Sequence, residues 1–129
     1  MKQDDKPTLV FLHGLESGPH GSKYQALCEL DPQVLAPDCE GIRDIDARMA
    51  VVERALAGLQ HLVLVGSSFG GLVATLYANR HPDSVDGCVL CAPALMTDRV
   101  PELAALRHAP RNCVILHATQ DEVVDIAWS

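Results

Sequence analysis

The pentapeptide Gly-Ser-Ser-Phe-Gly at positions 66–70 carries the clearest chemical potential in the sequence. It follows an apolar run at 61–65 and opens a helix-like run at 70–80, so Gly-x-Ser-x-Gly stands between a predicted strand and a predicted helix. In that context the pattern predicts a sharp turn that exposes Ser68 as a nucleophile. One alternative is a turn that only starts the helix, with Ser67 as its N-cap. A phosphate-binding loop fits less well, because no lysine follows the glycines.

Two further polar segments follow apolar runs that are predicted to be strands. The dipeptide His13-Gly14 comes after the run at 8–12, and Asp121 comes shortly after the run at 113–117. The carboxyl ends of parallel strands lie at one edge of a sheet, and ligands bind there in open α/β sheets. We therefore expect both segments to converge with Ser68 on one site.

Strand and helix patterns alternate along the chain. Five short apolar strands are predicted, at 8–12, 33–36, 61–65, 85–92 and 113–117. The strongest helix starts at Asp44 or Asp46, and its apolar residues recur every three or four positions, at Ile45, Met49, Val52, Leu56 and Leu59. Further helices are predicted at 23–30, 70–80 and 102–108, with helical turns at 123–128. The alternation predicts an α/β fold, with a parallel sheet of about five strands and helices on both faces, in one domain of residues 1–129.

Composition narrows the classes of partner and cofactor. A formal net charge of −7 disfavours nucleic acid and anionic membranes, and the first apolar run is too short for a signal core. The five cysteines are odd in number and lie mostly in apolar runs, which favours reduced thiols and a cytoplasmic location. Cys88 and Cys91 would point to opposite faces of a strand, so we expect no shared metal or redox chemistry there. Because no cluster has metal-ligand spacing, neither metal nor cofactor is expected.

Together these motifs resemble the α/β-hydrolase superfamily, and within it the small YqiA-type esterases. The resemblance rests on Phe-Leu-His-Gly at 11–14, the pentapeptide at 66–70, Ser-Gly-Pro-His-Gly-Ser-Lys at 17–23, and Asp121 with the Glu-Val-Val-Asp that follows it. It implies hydrolysis of small acyl esters or thioesters through a covalent ester on Ser68.

The resemblance also implies roles for other residues. The backbone N–H groups of Leu15 and Phe69 would hold the oxyanion, while His13 and Gly14 would contact the substrate. Asp121 would orient a catalytic histidine and stabilise its charged form.

The expected order of a triad is serine, acid, then histidine, but no histidine follows Asp121 before the chain ends at Ser129. We therefore expect a truncated hydrolase whose base comes from elsewhere. The chain's own weaker candidates for the base are His13, His20 and His117. Asp121 could instead cap a helix, and Asp125 is the second choice of acid.

Two other functions stay open from the sequence. A catalytically silent binding module of the same fold would explain the missing histidine. A peptidase of the same fold is less favoured, because such enzymes usually carry extra domains. Truncation would also leave the last strand as an apolar edge, through which a second copy of the chain could pair.

Overall fold

A computed structural model describes residues 7–15, 18–91 and 113–116. Within these residues the chain forms a four-stranded sheet in which every neighbouring pair of strands is parallel. The strands lie side by side in chain order, as β1 (Thr8–Leu12), β2 (Leu62–Ser67), β3 (Val85–Cys91) and β4 (Cys113–Leu116). The predicted parallel α/β architecture is confirmed.

Helices pack on both faces of this sheet, as predicted. They are α1 (Ser22–Leu30), α2 (Ile45–Leu56) and α3 (Phe69–Arg80). In β1, Val10 and Leu12 belong to a large apolar cluster with residues of α2 and α3. Leu9 and Phe11 instead pack in a smaller cluster with α1. Because neighbouring residues of a strand point to opposite faces, the two clusters lie on the two faces of the sheet.

The strand predicted at 33–36 is reduced to one isolated parallel bridge beside β1. The Leu35 N–H donates to the carbonyl of Leu9 at 2.9 Å, and its carbonyl accepts from the Phe11 N–H at 2.7 Å. The next rung of a parallel ladder would need an N–H two residues further on, where Pro37 has none. The described sheet therefore has four strands, where about five were predicted.

The bridge and β2 flank β1 on opposite sides, which creates a topological switch point. The chain leaves β1 toward Leu35 on one side and later returns as β2 on the other. Ligands of open α/β sheets bind outside the carboxyl ends of the strands at such a point. The residues that follow β1 and β2 there are 13–15 and Ser68, so the fold brings two of the predicted segments together.

The best-predicted helix, α2, forms as expected. Asp44 is its N-cap, and the carboxylate accepts a hydrogen bond from the Ala47 N–H at 2.9 Å. The buried apolar residues of α2 are Met49, Val52 and Leu56. Leu59 lies past the end of the helix and is 37% exposed. The predicted period therefore holds, but the helix ends before its last member.

Several predictions fall outside the described residues. They concern the helix at 102–108, the helical turns at 123–128, His117 and Asp121. Among the helices of the described ranges, none has the length and apolar character needed to cross a membrane.

Candidate active site

Ser68 is exposed at the turn between β2 and α3, within residues 66–70, which we call the elbow. Its backbone has φ 55° and ψ −116°, a conformation that costs a non-glycine residue about 1–3 kcal/mol. The Ser68 N–H donates to the Cys91 carbonyl at 2.9 Å, which ties the turn to the end of β3. Ser68, and not Ser67, is the N-cap of α3, and within the described chain its hydroxyl makes no capping hydrogen bond. The side chain is therefore available for chemistry.

Two glycines of the elbow have no room for a side chain. A β-carbon at Gly66 would collide with the Gly70 carbonyl and lie 2.8 Å from the Cα of Gly71. A β-carbon at Gly70 would collide with the Leu12 carbonyl and lie 2.8 Å from the His13 oxygen. The elbow thus packs backbone against backbone, which only glycine permits.

The segment 13–15 after β1, which we name the oxyanion loop after its predicted role, lies directly against the elbow. A β-carbon built at Gly14 would lie 3.2 Å from the Ser67 oxygen, 3.3 Å from the Ser68 Cβ and 3.9 Å from the Phe69 nitrogen. Phe69 begins α3, and the first N–H groups of a helix have no partner within the helix. Leu15, which is half-buried, follows Gly14 directly. Both predicted oxyanion donors therefore belong to segments that meet at Ser68.

The His13 side chain points into the protein and is only 1% exposed. Its Nε2 accepts a hydrogen bond from the Cys39 N–H at 2.9 Å. Because that nitrogen accepts, Nδ1 carries the proton and donates to the Gly14 carbonyl at 2.8 Å. The imidazole therefore holds the oxyanion loop in place from the interior of the protein. Both ring nitrogens are engaged in the interior, and the predicted contact of His13 with substrate stays a prediction.

Arg48 of α2 is a residue that the sequence interpretation missed. It is 1% exposed and lies beneath the oxyanion loop. Its guanidinium donates to three carbonyls, at 2.7 Å to His13, 3.1 Å to Gly14 and 2.6 Å to Ile42. The guanidinium also lies over the Phe69 ring, 5.3 Å from its centroid, within the range of a cation–π contact. One buried cation thus touches both the loop and the elbow.

A sequence signal for Arg48 was present. It lies three residues after Ile45 and four before Val52, so it falls on the apolar stripe of α2. A charged residue on such a stripe is rarely buried without partners. Burial lowers the pKa of the Arg48 guanidinium, Cys39 partly offsets this shift and Arg43 adds to it. An arginine nevertheless remains protonated in a protein, so the charge persists.

A cavity of about 80 Å³ opens beside the elbow on the side of α1. It is lined by Phe11, Gly18, Gly21, Ser22, Lys23 and Ser67. The cavity has room for several water molecules, and Ser68 is not among the residues that line it.

The acid and the base of a triad are not assembled by the described residues. Asp121 lies outside them. Apart from His13, the described histidines have partners of their own: His20 lies against Tyr24, His61 against Asp86 and His81 against Glu53. None of these four histidines makes a hydrogen bond to Ser68 in the described ranges. Nor does any group of His, Cys, Asp and Glu side chains there have the arrangement to hold a metal ion.

Cys88 and Cys91 lie on opposite faces of β3, as their spacing predicts. Cys88 packs in the large cluster, where burial, with a smaller effect of Cys113, raises its pKa to about 12. Cys91 is half-buried, and burial raises its pKa while Lys23 opposes the shift. The five cysteines, all within the described ranges, are unpaired. The Cys-x-x-Cys pattern is therefore not a shared site.

Comparison with known proteins identifies the fold. A family model described as alpha/beta hydrolase fold matches residues 36–112. No curated protein matches the chain.

Solved structures match over most of the chain. A proposed YdeN-like hydrolase from Pectobacterium atrosepticum has 21% identity and a TM-score of 0.71, and the match covers 95% of this chain and 69% of that protein. A proposed hydrolase of the alpha/beta superfamily from Xanthomonas campestris has 23% identity and a TM-score of 0.72, with 95% and 78% covered. A monoacylglycerol lipase from Paleococcus ferrophilus has 28% identity and a TM-score of 0.51, with 68% and 39% covered.

Proposed function

This chain belongs to the α/β-hydrolase fold family, and we propose that it is a serine hydrolase of the esterase or thioesterase type that acts on small acyl esters. The observation that carries the proposal is the conformation of Ser68. An exposed serine at φ 55° and ψ −116°, with no capping hydrogen bond in the described chain, is costly for a turn that only starts a helix. Strain of this kind favours a role for the hydroxyl itself.

In the proposed reaction the Ser68 Oγ attacks the carbonyl carbon of the ester. The carbonyl oxygen becomes an oxyanion and accepts hydrogen bonds from the N–H groups of Leu15 and Phe69. Phe69 also begins α3, where the positive end of the helix dipole favours negative charge. The base that takes the Ser68 proton returns it to the alcohol or thiol as the C–O or C–S bond breaks, and water, deprotonated by the same base, then hydrolyses the acyl-serine ester and restores the Ser68 hydroxyl. Losing one oxyanion donor typically lowers the rate about a hundred- to a thousandfold.

Attack by Ser68 also needs a base, and the proposed triad takes it from a histidine oriented by Asp121. That acid is supported by its position in the sequence, shortly after β4. The base is not assigned to any of the four described histidines, because none of them makes a hydrogen bond to Ser68 in the described ranges. Without a histidine, a comparable serine hydrolase loses about a millionfold in rate.

The proposed substrates carry short acyl groups. Support comes from the resemblance of the motifs at 11–14 and 66–70 to small esterases, whereas the cavity of about 80 Å³ lies beside Ser67 and is not lined by Ser68. The likeness to a monoacylglycerol lipase supports ester chemistry in general. We expect an activated acetate ester to react faster than the corresponding octanoate.

The test combines active-site labelling with turnover. The purified chain is treated with a fluorophosphonate, the adduct is located by peptide mass spectrometry, and hydrolysis of an activated acetate ester is followed. We expect an adduct on Ser68 and only very slow turnover, because no described histidine supplies the base, and we expect Ser68→Ala to abolish both. Ser84→Ala is the matched control, because Ser84 lies before β3, at the opposite edge of the sheet.

The competing proposal is a catalytically silent binding module. It is favoured by the engagement of the described histidines elsewhere. Absence of labelling of Ser68 in the folded protein would support this module and contradict the hydrolase.

We also propose a location, a domain organisation and an assembly for this chain. The unpaired cysteines support a reducing compartment such as the cytoplasm. We propose that residues 1–129 form one domain. Among the described strands β4 lies last in the sheet order, which supports pairing of its edge with a second copy. A monomer by analytical ultracentrifugation at high concentration would contradict that pairing.

A further inference from the structure

We infer that Arg48 is a positioning residue, which orients the oxyanion loop and aligns it with the elbow. The inference rests on the proposed function, because the loop matters for rate only if Ser68 acts as a nucleophile. Arg48 is fully buried, yet among the described residues its hydrogen-bond acceptors are backbone carbonyls. By donating to these carbonyls, the buried guanidinium fixes the position of the backbone that carries them.

The Gly14 carbonyl is the centre of this arrangement. It accepts from Arg48 Nη2 at 3.1 Å and from His13 Nδ1 at 2.8 Å. The same peptide unit carries the Leu15 N–H. In a planar trans peptide the C=O and N–H point in opposite directions. With the carbonyl held toward the buried guanidinium, the Leu15 N–H is directed away from the interior, on the side where an oxyanion would form.

Arg48 also contacts the residue that would supply the second donor. Its guanidinium lies over the Phe69 ring, and the Phe69 amide begins α3. The Gly14 position approaches that amide, with 3.9 Å between a β-carbon built there and the Phe69 nitrogen. A single side chain thus touches both halves of the proposed oxyanion hole, and its planar fork makes contacts that a lysine cannot reproduce.

Arg48→Lys keeps the charge and the aliphatic stem but loses the fork. Arg48→Gln keeps donors but loses the charge. The matched control is Arg54→Lys, an exposed arginine on the same helix. Circular dichroism and thermal melting of each protein establish that the variants are folded before they are compared.

The first readout needs no reactivity. In ¹H–¹⁵N spectra of the folded proteins, Arg48→Lys should shift or broaden the Leu15 and Phe69 amide signals, and Leu15 should exchange its amide proton at a different rate. Arg54→Lys should leave both signals in place. Unchanged Leu15 and Phe69 amides in a folded Arg48→Lys protein would overturn the inference, even if its melting temperature falls. Should that variant fail to fold, the same spectra of Arg48→Gln decide.

The second readout is the rate of phosphonylation of Ser68 by a p-nitrophenyl alkylphosphonate. We expect Arg48→Lys to lower the maximal labelling rate about a hundredfold, with little change in the reagent concentration that gives half-maximal rate, because misplacement by about 1 Å has that effect. An unchanged maximal rate would overturn the inference. If the wild-type protein is not labelled at all, the proposed function fails, while the amide spectra still decide the positioning role.

Discussion

The elbow and the oxyanion loop meet at Ser68, but different kinds of contact hold them. The elbow is fixed by its own glycines, since Gly66 and Gly70 lie against backbone where no side chain fits. The loop is fixed from a distance, by a hydrogen bond to a residue 26 positions away and by an arginine 35 positions away. One half of the site is therefore encoded locally and the other half depends on long-range packing.

The largest expected effect on stability comes from adding a methyl group within the elbow. Gly70→Ala would place a methyl group onto the carbonyls of Leu12 and His13, so we expect the free energy of unfolding to fall by more than about 4 kcal/mol, or folding to fail. Gly21→Ala is the matched control, because no atom lies within 4 Å of its β-carbon, and its cost should stay below about 1 kcal/mol. Urea denaturation measures both. Equal stability of the two variants would contradict the packing described for the elbow.

The next effect tests the long-range support of the loop. His13→Asn cannot span both the Cys39 N–H and the Gly14 carbonyl, so we expect a loss of about 2–4 kcal/mol in the free energy of unfolding. His61→Asn is the control. His61 is exposed, its contact with Asp86 is a surface pair, and asparagine tolerates its φ of 58°, so the change should stay within about 1 kcal/mol. A His13→Asn protein as stable as wild type would show that the loop needs no such brace.

The pH dependence of stability tests the burial of Cys88 in β3. Burial raises the pKa of Cys88 to about 12 from an ordinary value of 9.0. Between these values the folded protein keeps a proton that the unfolded chain has lost, so stability should fall as pH rises through this window, by up to about 1.4 kcal/mol per pH unit from this thiol. Urea denaturation at several pH values should show a shallower decline for Cys88→Ala. Identical slopes would mean that the core beneath the elbow is wetter than described.

The smallest expected effect measures the backbone strain at Ser68. Glycine adopts the φ of 55° at position 68 at little cost, whereas alanine does not. After allowance for the greater entropy of glycine in the unfolded chain, we expect Ser68→Gly to be about 1 kcal/mol more stable than Ser68→Ala. Denaturation of the two variants compares them directly. A more stable Ser68→Ala would indicate that the turn is not strained.

The contrast between the two halves also explains what the sequence could predict. Three features depend on residues close together in the chain, so the sequence predicts them. They are the elbow, the alternation of strands and helices, and the Asp44 cap of α2. The prediction of a full strand at 33–36 is wrong. The apolar residues there favour pairing with β1, but Pro37 has no N–H to donate the next hydrogen bond of the ladder.

The oxyanion loop shows which contacts the sequence could not predict. The resemblance implies a substrate contact for His13, which stays a prediction, but nothing in the sequence indicates that its ring turns inward to meet the Cys39 N–H, a partner that only the folded chain supplies. The apolar period of α2 predicts a buried stripe, but it does not indicate which groups the cation on that stripe, Arg48, would contact. Its acceptors are carbonyls, which carry no side-chain signal in a sequence.

The most direct test of the site is a crystal structure of the protein after phosphonylation. We predict a phosphorus bonded to the Ser68 Oγ, with the phosphonyl oxygen about 2.7–3.1 Å from the nitrogens of both Leu15 and Phe69. An adduct on another residue, or a phosphonyl oxygen that turns away from these two amides, would contradict it.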